Sequence, residues 1–152
     1  MSFVEVLRDT EVFKRLTEDG LRRVAALCAR STYEAGAMVA RQGDEVRKLY
    51  LVEEGMVQFQ IEIGPGRSWS VDSSGRGECF GWAGLIDPPL PWASTGRCAE
   101  DTILTEVDIG GLKKLCESEY YIGYAVMLGV ATLVANRLQH TRIQVVHLAE
   151  KM

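Results

Sequence analysis

Cysteine is sparse and scattered in this chain. Cys28, Cys79, Cys98 and Cys116 are never closer than about eighteen positions, and no CxxC occurs. Zinc and iron–sulfur sites draw on close pairs, so no metal site and no cofactor is expected, and the thiols read as small buried apolar groups. Histidine is rarer still. His140 and His147 stand seven apart on one helical stretch, a spacing that one metal ion rarely takes from one helix. Runs of basic residues are missing and the net charge is −4, which argues against direct DNA binding. The amino-terminal MSFVEVLRDTEVF carries acids and no long apolar core, so it is not a signal peptide. The longest apolar run, 125–135, is interrupted by Gly129 and Thr132 and reads as too short to span a bilayer. No P-loop, HExxH or Ser-His-Asp order is present. These gaps point to a cytoplasmic protein that is not an enzyme and does not touch a membrane.

What is there fits one domain over residues 1–152, with 47% hydrophobic and 25% charged residues. Three blocks follow one another. Residues 2–29 read as helical: Ser2 with Glu5 forms a capping box, Phe13 and Leu16 bury one face, and Thr17 caps a helix carrying Leu21, Val24, Ala25 and Cys28. Residues 30–108 change period. The turn signals AG, QGD, EEG, GPG and SSG punctuate β-rich runs, of which KLYLV and MVQFQIEI are the clearest. In the second, Val57, Phe59, Ile61 and Ile63 share one face and Gln58, Gln60 and Glu62 the other, the pattern of one buried and one wet face. GPG at 64–66 predicts a hairpin, and TGRCAEDTILTEVD two strands around a turn at Glu100–Asp101. Many short strands at this spacing suggest a sandwich or barrel.

Residues 109–152 read as helical again, with a short helix and then a long one capped by Ser118. Tyr124, Met127, Ala131, Val134, Leu138, Thr141, Val145 and Leu148 recur in alternating steps of three and four, a heptad seam that predicts a homodimer. Ile122, Val126, Val130 and Leu133 form a second stripe, suited to packing on the β block. The same pattern also fits a single wide core-facing stripe in a monomer.

The order helices, short strands with glycine turns, long helix resembles the cyclic-nucleotide-binding domain of the cyclic-AMP receptor and FNR type of regulator. Several motifs carry the likeness: Tyr33 and Gly36, Arg41-Gln42-Gly43-Asp44, Leu49-Tyr50-Leu51-Val52, Gly55 with Val57, GECFG at 77–81, and AEDTILTEVD. The resemblance implies a mainly β fold with flanking helices: a double-stranded β-helix, or jelly-roll-like β-roll, with N-terminal helices and a long C-terminal helix. It also implies a non-catalytic sensor module that answers to a small-molecule effector and acts through a downstream protein partner. In the receptor-type regulators the long helix leads on to a DNA-reading domain. Here the chain stops at Met152, so direct DNA reading is not expected.

In that family Phe-Gly is followed by Glu and, about ten residues on, by Arg. The glycine amide and the arginine hold the cyclic phosphate, and the glutamate takes the ribose hydroxyl. Carried over, Phe80 and Gly81 match, but Trp82 stands at the Glu position and Trp92 at the Arg position, followed by Ala83 and by Ala93 and Ser94 respectively. Between Gly81 and Ser94 there is no cationic side chain and one carboxylate, Asp87. A charged hydrogen bond is worth about 1.5–3 kcal/mol, so losing both partners removes roughly 3–6 kcal/mol, or about a hundredfold to ten-thousandfold in affinity. The resemblance also places Thr141 at the part of the long helix that meets the base across a dimer, with Arg142 beside it. Three readings stay open: an aromatic-walled pocket for a different effector, a cavity plugged by Trp82 and Trp92, or a true cyclic-nucleotide site that recruits Arg97 or Arg142.

Overall fold

Capping residues start the first two helices where the sequence places them. In the computed structural model, which describes residues 1–152, Glu5 N donates to Ser2 Oγ (3.2 Å) at the start of α1 (Phe3–Arg8). Gly20 N donates to Thr17 Oγ1 (3.2 Å) at the start of α2 (Glu18–Ala25). Phe13 and Leu16 are buried, but on a turn segment between the two helices rather than on a helix. The helical block also ends earlier than 29: α2 stops at Ala25, and Cys28 already opens a strand. Cys28 pairs with Val107 across that strand, so the ladder takes over where helical periodicity would have continued.

Eight strands follow: β1 (Cys28–Tyr33), β2 (Met38–Ala40), β3 (Lys48–Glu54), β4 (Met56–Gly64), β5 (Arg67–Gly75), β6 (Cys79–Phe80), β7 (Thr95–Cys98) and β8 (Thr102–Asp108). They form two four-stranded antiparallel sheets, ordered β1-β8-β3-β6 and β2-β7-β4-β5. This is the expected β-roll. Gly36, Gly43, Gly55 and Gly77 each adopt a left-handed φ at the turns that join its strands.

β3 shows how the roll is layered. A strand alternates its side chains between faces, and Leu49 to Val52 are all buried because both faces of β3 are covered. Leu49 and Leu51 enter a core of eighteen buried residues shared with the helices. Tyr50 and Val52 enter a second core of seven buried residues inside the roll. β4 is buried only in its first half. Val57 and Phe59 are inside and Ile61 is half-buried, but Ile63 is 49% exposed, because the β4–β5 hairpin runs out beyond the second sheet layer.

Two helices close the chain, α3 (Ile109–Ser118) and α4 (Tyr120–Glu150). Ser118 is the last residue of α3 rather than the cap of α4: its hydroxyl donates to Leu115 O (3.2 Å), and Glu119 occupies the cap position. α4 divides along its length. Ile122, Val126 and Val130 are buried on the helical core, while every residue from Leu138 on is exposed. Gly129, which looks like a break in the apolar run, is a contact point: a Cβ there would lie 2.4 Å from Val12 O. Reading residues 125–135 as too short for a bilayer needs correction, because the 31-residue α4 is by length and composition long and apolar enough to cross one. Its N-terminal apolar residues are those of a helix packed on a core.

Candidate functional site

The site grows from β6. Tyr50 faces Phe80 across the β3–β6 ladder, and their rings stack at 5.0 Å and 18°. Phe59 meets Phe80 edge-on at 5.1 Å and 70°. These rings form a wall of the inner core. The chain must then turn sharply against β3. Gly81 does so at φ +92°, where a Cβ would come within 2.6 Å of Lys48 O. Trp82–Leu85 forms a short 3-10 turn, and the proline-rich loop leads to Trp92.

Trp92 is held by its backbone on both sides. Its N–H donates to Asp44 O (2.9 Å) and its carbonyl accepts from Gly43 N (2.8 Å), which ties the loop to the QGD turn. The indole stands over the Phe-Gly turn: its Cη2 lies 3.1 Å from where a Gly81 Cβ would be, and its ring centroid is 6.1 Å from Phe80 and 6.2 Å from Tyr50. Trp82 packs instead on the edge of the helical core.

A cavity of about 350 Å³ opens between these rings, the β4–β5 hairpin and α4. Of the residues singled out in the sequence, Gly81, Trp82, Ala83, Trp92, Ala93, Ser94 and Thr141 line it. Phe80 is buried behind the wall rather than in it. Arg97 does not reach it. Arg97 sits opposite Gln58 on β7, and Gln58 is on the wet face of the sheet, so its side chain joins a polar groove with Gln60, Glu62 and Arg67. Arg142 is not in its lining either and lies on the exposed groove of α4 with Leu138, Gln139 and Val146. Neither arginine approaches its own chain's cavity.

The cation that does reach the cavity is one the sequence reading missed. Arg137 of α4 lines it beside Asp72 of β5 and forms an ion pair with that carboxylate. Its guanidinium also donates to Ser74 Oγ (3.2 Å) and lies 3.9 Å from Glu78. Burial pulls Arg137 down from its usual value, but from so far above neutrality that it stays charged. The available signal was spacing: Arg137 lies one turn before Thr141, and residues four apart share a helix face. The apolar lining, Phe59, Ile61, Val71, Leu90 and Pro91, was legible only for the β4 residues.

The proposed seam residues lie on the outside of α4. Tyr124, Leu138, Val145 and Leu148 are well exposed, Ala131 and Thr141 are exposed, and Met127 and Val134 lie at the border of the packed half. All four thiols are free. Cys79 and Cys98 sit in the two cores, and Cys28 and Cys116 are partly buried against the helical one. Burial raises all four, Cys28 to about 12, so none is a ready nucleophile.

Comparison with known proteins agrees with this geometry. Residues 30–119 match the family model described as cyclic nucleotide-binding domain. A cAMP-dependent protein kinase regulatory subunit from Debaryomyces hansenii is 30% identical over 94 residues, covering 62% of this chain and 20% of the relative. The chain spans about a quarter or less of the curated relatives it matches. A cyclic nucleotide-binding protein of Geobacter metallireducens GS-15 is 25% identical with a TM-score of 0.79, covering 91% of this chain and 99% of that one. The catabolite activator protein of Thermus thermophilus is 26% identical with a TM-score of 0.74, covering 92% and 63%. With the matched region covering more than half of its residues, the chain belongs to the cyclic nucleotide-binding domain family.

Proposed function

We propose that this regulatory module senses a planar, largely apolar effector in place of an ordinary cyclic nucleotide. One observation carries this: Trp92 lies over the Gly81 turn, at the position the family resemblance assigns to the phosphate-holding arginine. The cavity's own cation, Arg137, is already paired. The cavity is small and walled by rings, which suits stacking and apolar burial. No group here is arranged as a nucleophile with its base, so the module is non-catalytic and acts by population shift. Thr141 and Arg137 belong to α4, so an effector that touches them favours one seating of that helix over another.

The whole chain, residues 1–152, acts as one unit. It works in the cytoplasm and pairs with a second copy through the exposed seam of α4. The thirteen residues at the helix's end, 138–150, are all exposed in the single chain, and an exposed helical end carrying Leu138, Val145 and Leu148 gains from a partner. The dimer passes its state to a protein partner and does not itself read DNA. The experiment is a titration with cyclic AMP and a panel of planar aromatic compounds, followed by indole emission and melting temperature. Saturation by aromatics with silence from micromolar cyclic AMP supports the reading, and saturable micromolar cyclic AMP binding defeats it. Sedimentation at tens of micromolar tests the seam, which fails if the chain is monomeric there.

The description of the Debaryomyces relative as a cAMP-dependent regulatory subunit favours a second reading, genuine cyclic-AMP binding. On that reading the phosphate would have to displace Asp72 from Arg137, and the same titration decides between the two.

A further inference from the structure

The charged groups that line the cavity cancel. Of the fourteen lining residues only Asp72 and Arg137 carry charge. Arg137 faces Asp72 directly, and Glu78 approaches the same guanidinium at 3.9 Å. Ser74 Oγ accepts from it at 3.2 Å. Paired with Asp72, the cavity's one cation has no charge to spare for a ligand. An anion entering here would have to draw Arg137 away and leave Asp72 unpaired on a partly buried wall, where a lone carboxylate is poorly solvated. A neutral ring disturbs nothing, and a cationic substituent leaves the Asp72–Arg137 pair in place.

We propose that the pocket selects by charge as well as by shape, taking planar aromatic ligands with a neutral or cationic substituent and rejecting the carboxylate or phosphate of the same ring. This rests on the reading of the cavity as open to an aromatic effector. Asp72 is then the specificity-determining residue: it holds Arg137 closed to anions.

Three naphthalenes of matched size test it by calorimetry on the full chain: an aminomethyl, a hydroxymethyl and a carboxylate derivative. The amine and the alcohol should saturate, with the carboxylate at least about tenfold weaker. In Asp72→Asn the freed Arg137 should reverse the order, tightening the carboxylate by about tenfold and weakening the amine. For the unaltered protein, raising the salt should narrow the gap between amine and carboxylate. A carboxylate that binds the unaltered protein as tightly as the amine overturns the charge selection and leaves the aromatic pocket standing. Failure of all three rings to saturate overturns the pocket reading and this inference with it. If Asp72→Asn does not fold, the comparison on the unaltered protein still decides.

Discussion

The sheet β1-β8-β3-β6 has two sides, and they are finished differently. On the side that carries Leu49, Leu51 and Val107, both terminal helical blocks close over it and bury eighteen residues. On the side that carries Tyr50, Val52 and Leu104, the second sheet and one loop close over it, and a cavity remains under Trp92. Packing on the first side sets stability. The incomplete packing on the second side leaves room for a ligand, and its closure depends on a few aromatic rings and one ion pair.

Substitutions should separate the two sides. The largest effect is expected on the helical side. Phe13 is fully buried, and Phe13→Ala should cost about 3–5 kcal/mol in denaturant unfolding. A loss below 1 kcal/mol would mean that this core is not the stabilising one. Next comes the turn under the cavity. Gly81→Ala sets a Cβ 2.6 Å from Lys48 O at φ +92°, so a loss of about 2–4 kcal/mol is expected, combining left-handed strain with a clash. Unchanged stability there would show that the turn gives way freely.

Trp92→Arg sharpens the comparison without touching the helical side. It places a cation over Gly81 and should strengthen cyclic-AMP binding by about tenfold to a hundredfold, measured by calorimetry. No gain would show that Trp92 does not occupy the arginine position. The smallest effect belongs to Glu53, on the interior strand β3. Burial pushes the Glu53 carboxyl up, but hydrogen bonds from Arg30 (2.7 Å) and Thr105 (2.6 Å) outweigh it and hold Glu53 below its usual range. A lowered folded pKa gives stability that is present above the unfolded value and lost as pH falls through the folded one. Glu53→Gln should therefore flatten the acid limb of a melting-temperature profile and leave its slope above neutral pH unchanged.

Much of this was legible along the chain. The caps at Ser2 and Thr17, the hairpin at 64–66, the turn at Glu100–Asp101 and the buried stripe of α4 depend on neighbours a few residues apart. The shared burial of β3 was less plain, since a run such as LYLV does not say which neighbour covers which face. Ile63 was misread because alternation continues past the point where the covering sheet ends. Arg97 seemed within reach of the pocket because it lies near it in sequence, and strand pairing turns it to the wet face of the sheet.

The sequence by itself determined that a block of short strands lies between helices, and its family resemblance implied a β-roll with Trp82 and Trp92 in place of a glutamate and an arginine. Periodicity, turn residues and motif spacing are local properties of a chain. Only the tertiary structure decided that Trp92 covers the Gly81 turn while Trp82 serves the other core, and that Arg137 meets Asp72 across sixty-five residues. Contacts between distant elements follow from how sheets and helices pack, and no local pattern records which side chains that packing brings face to face.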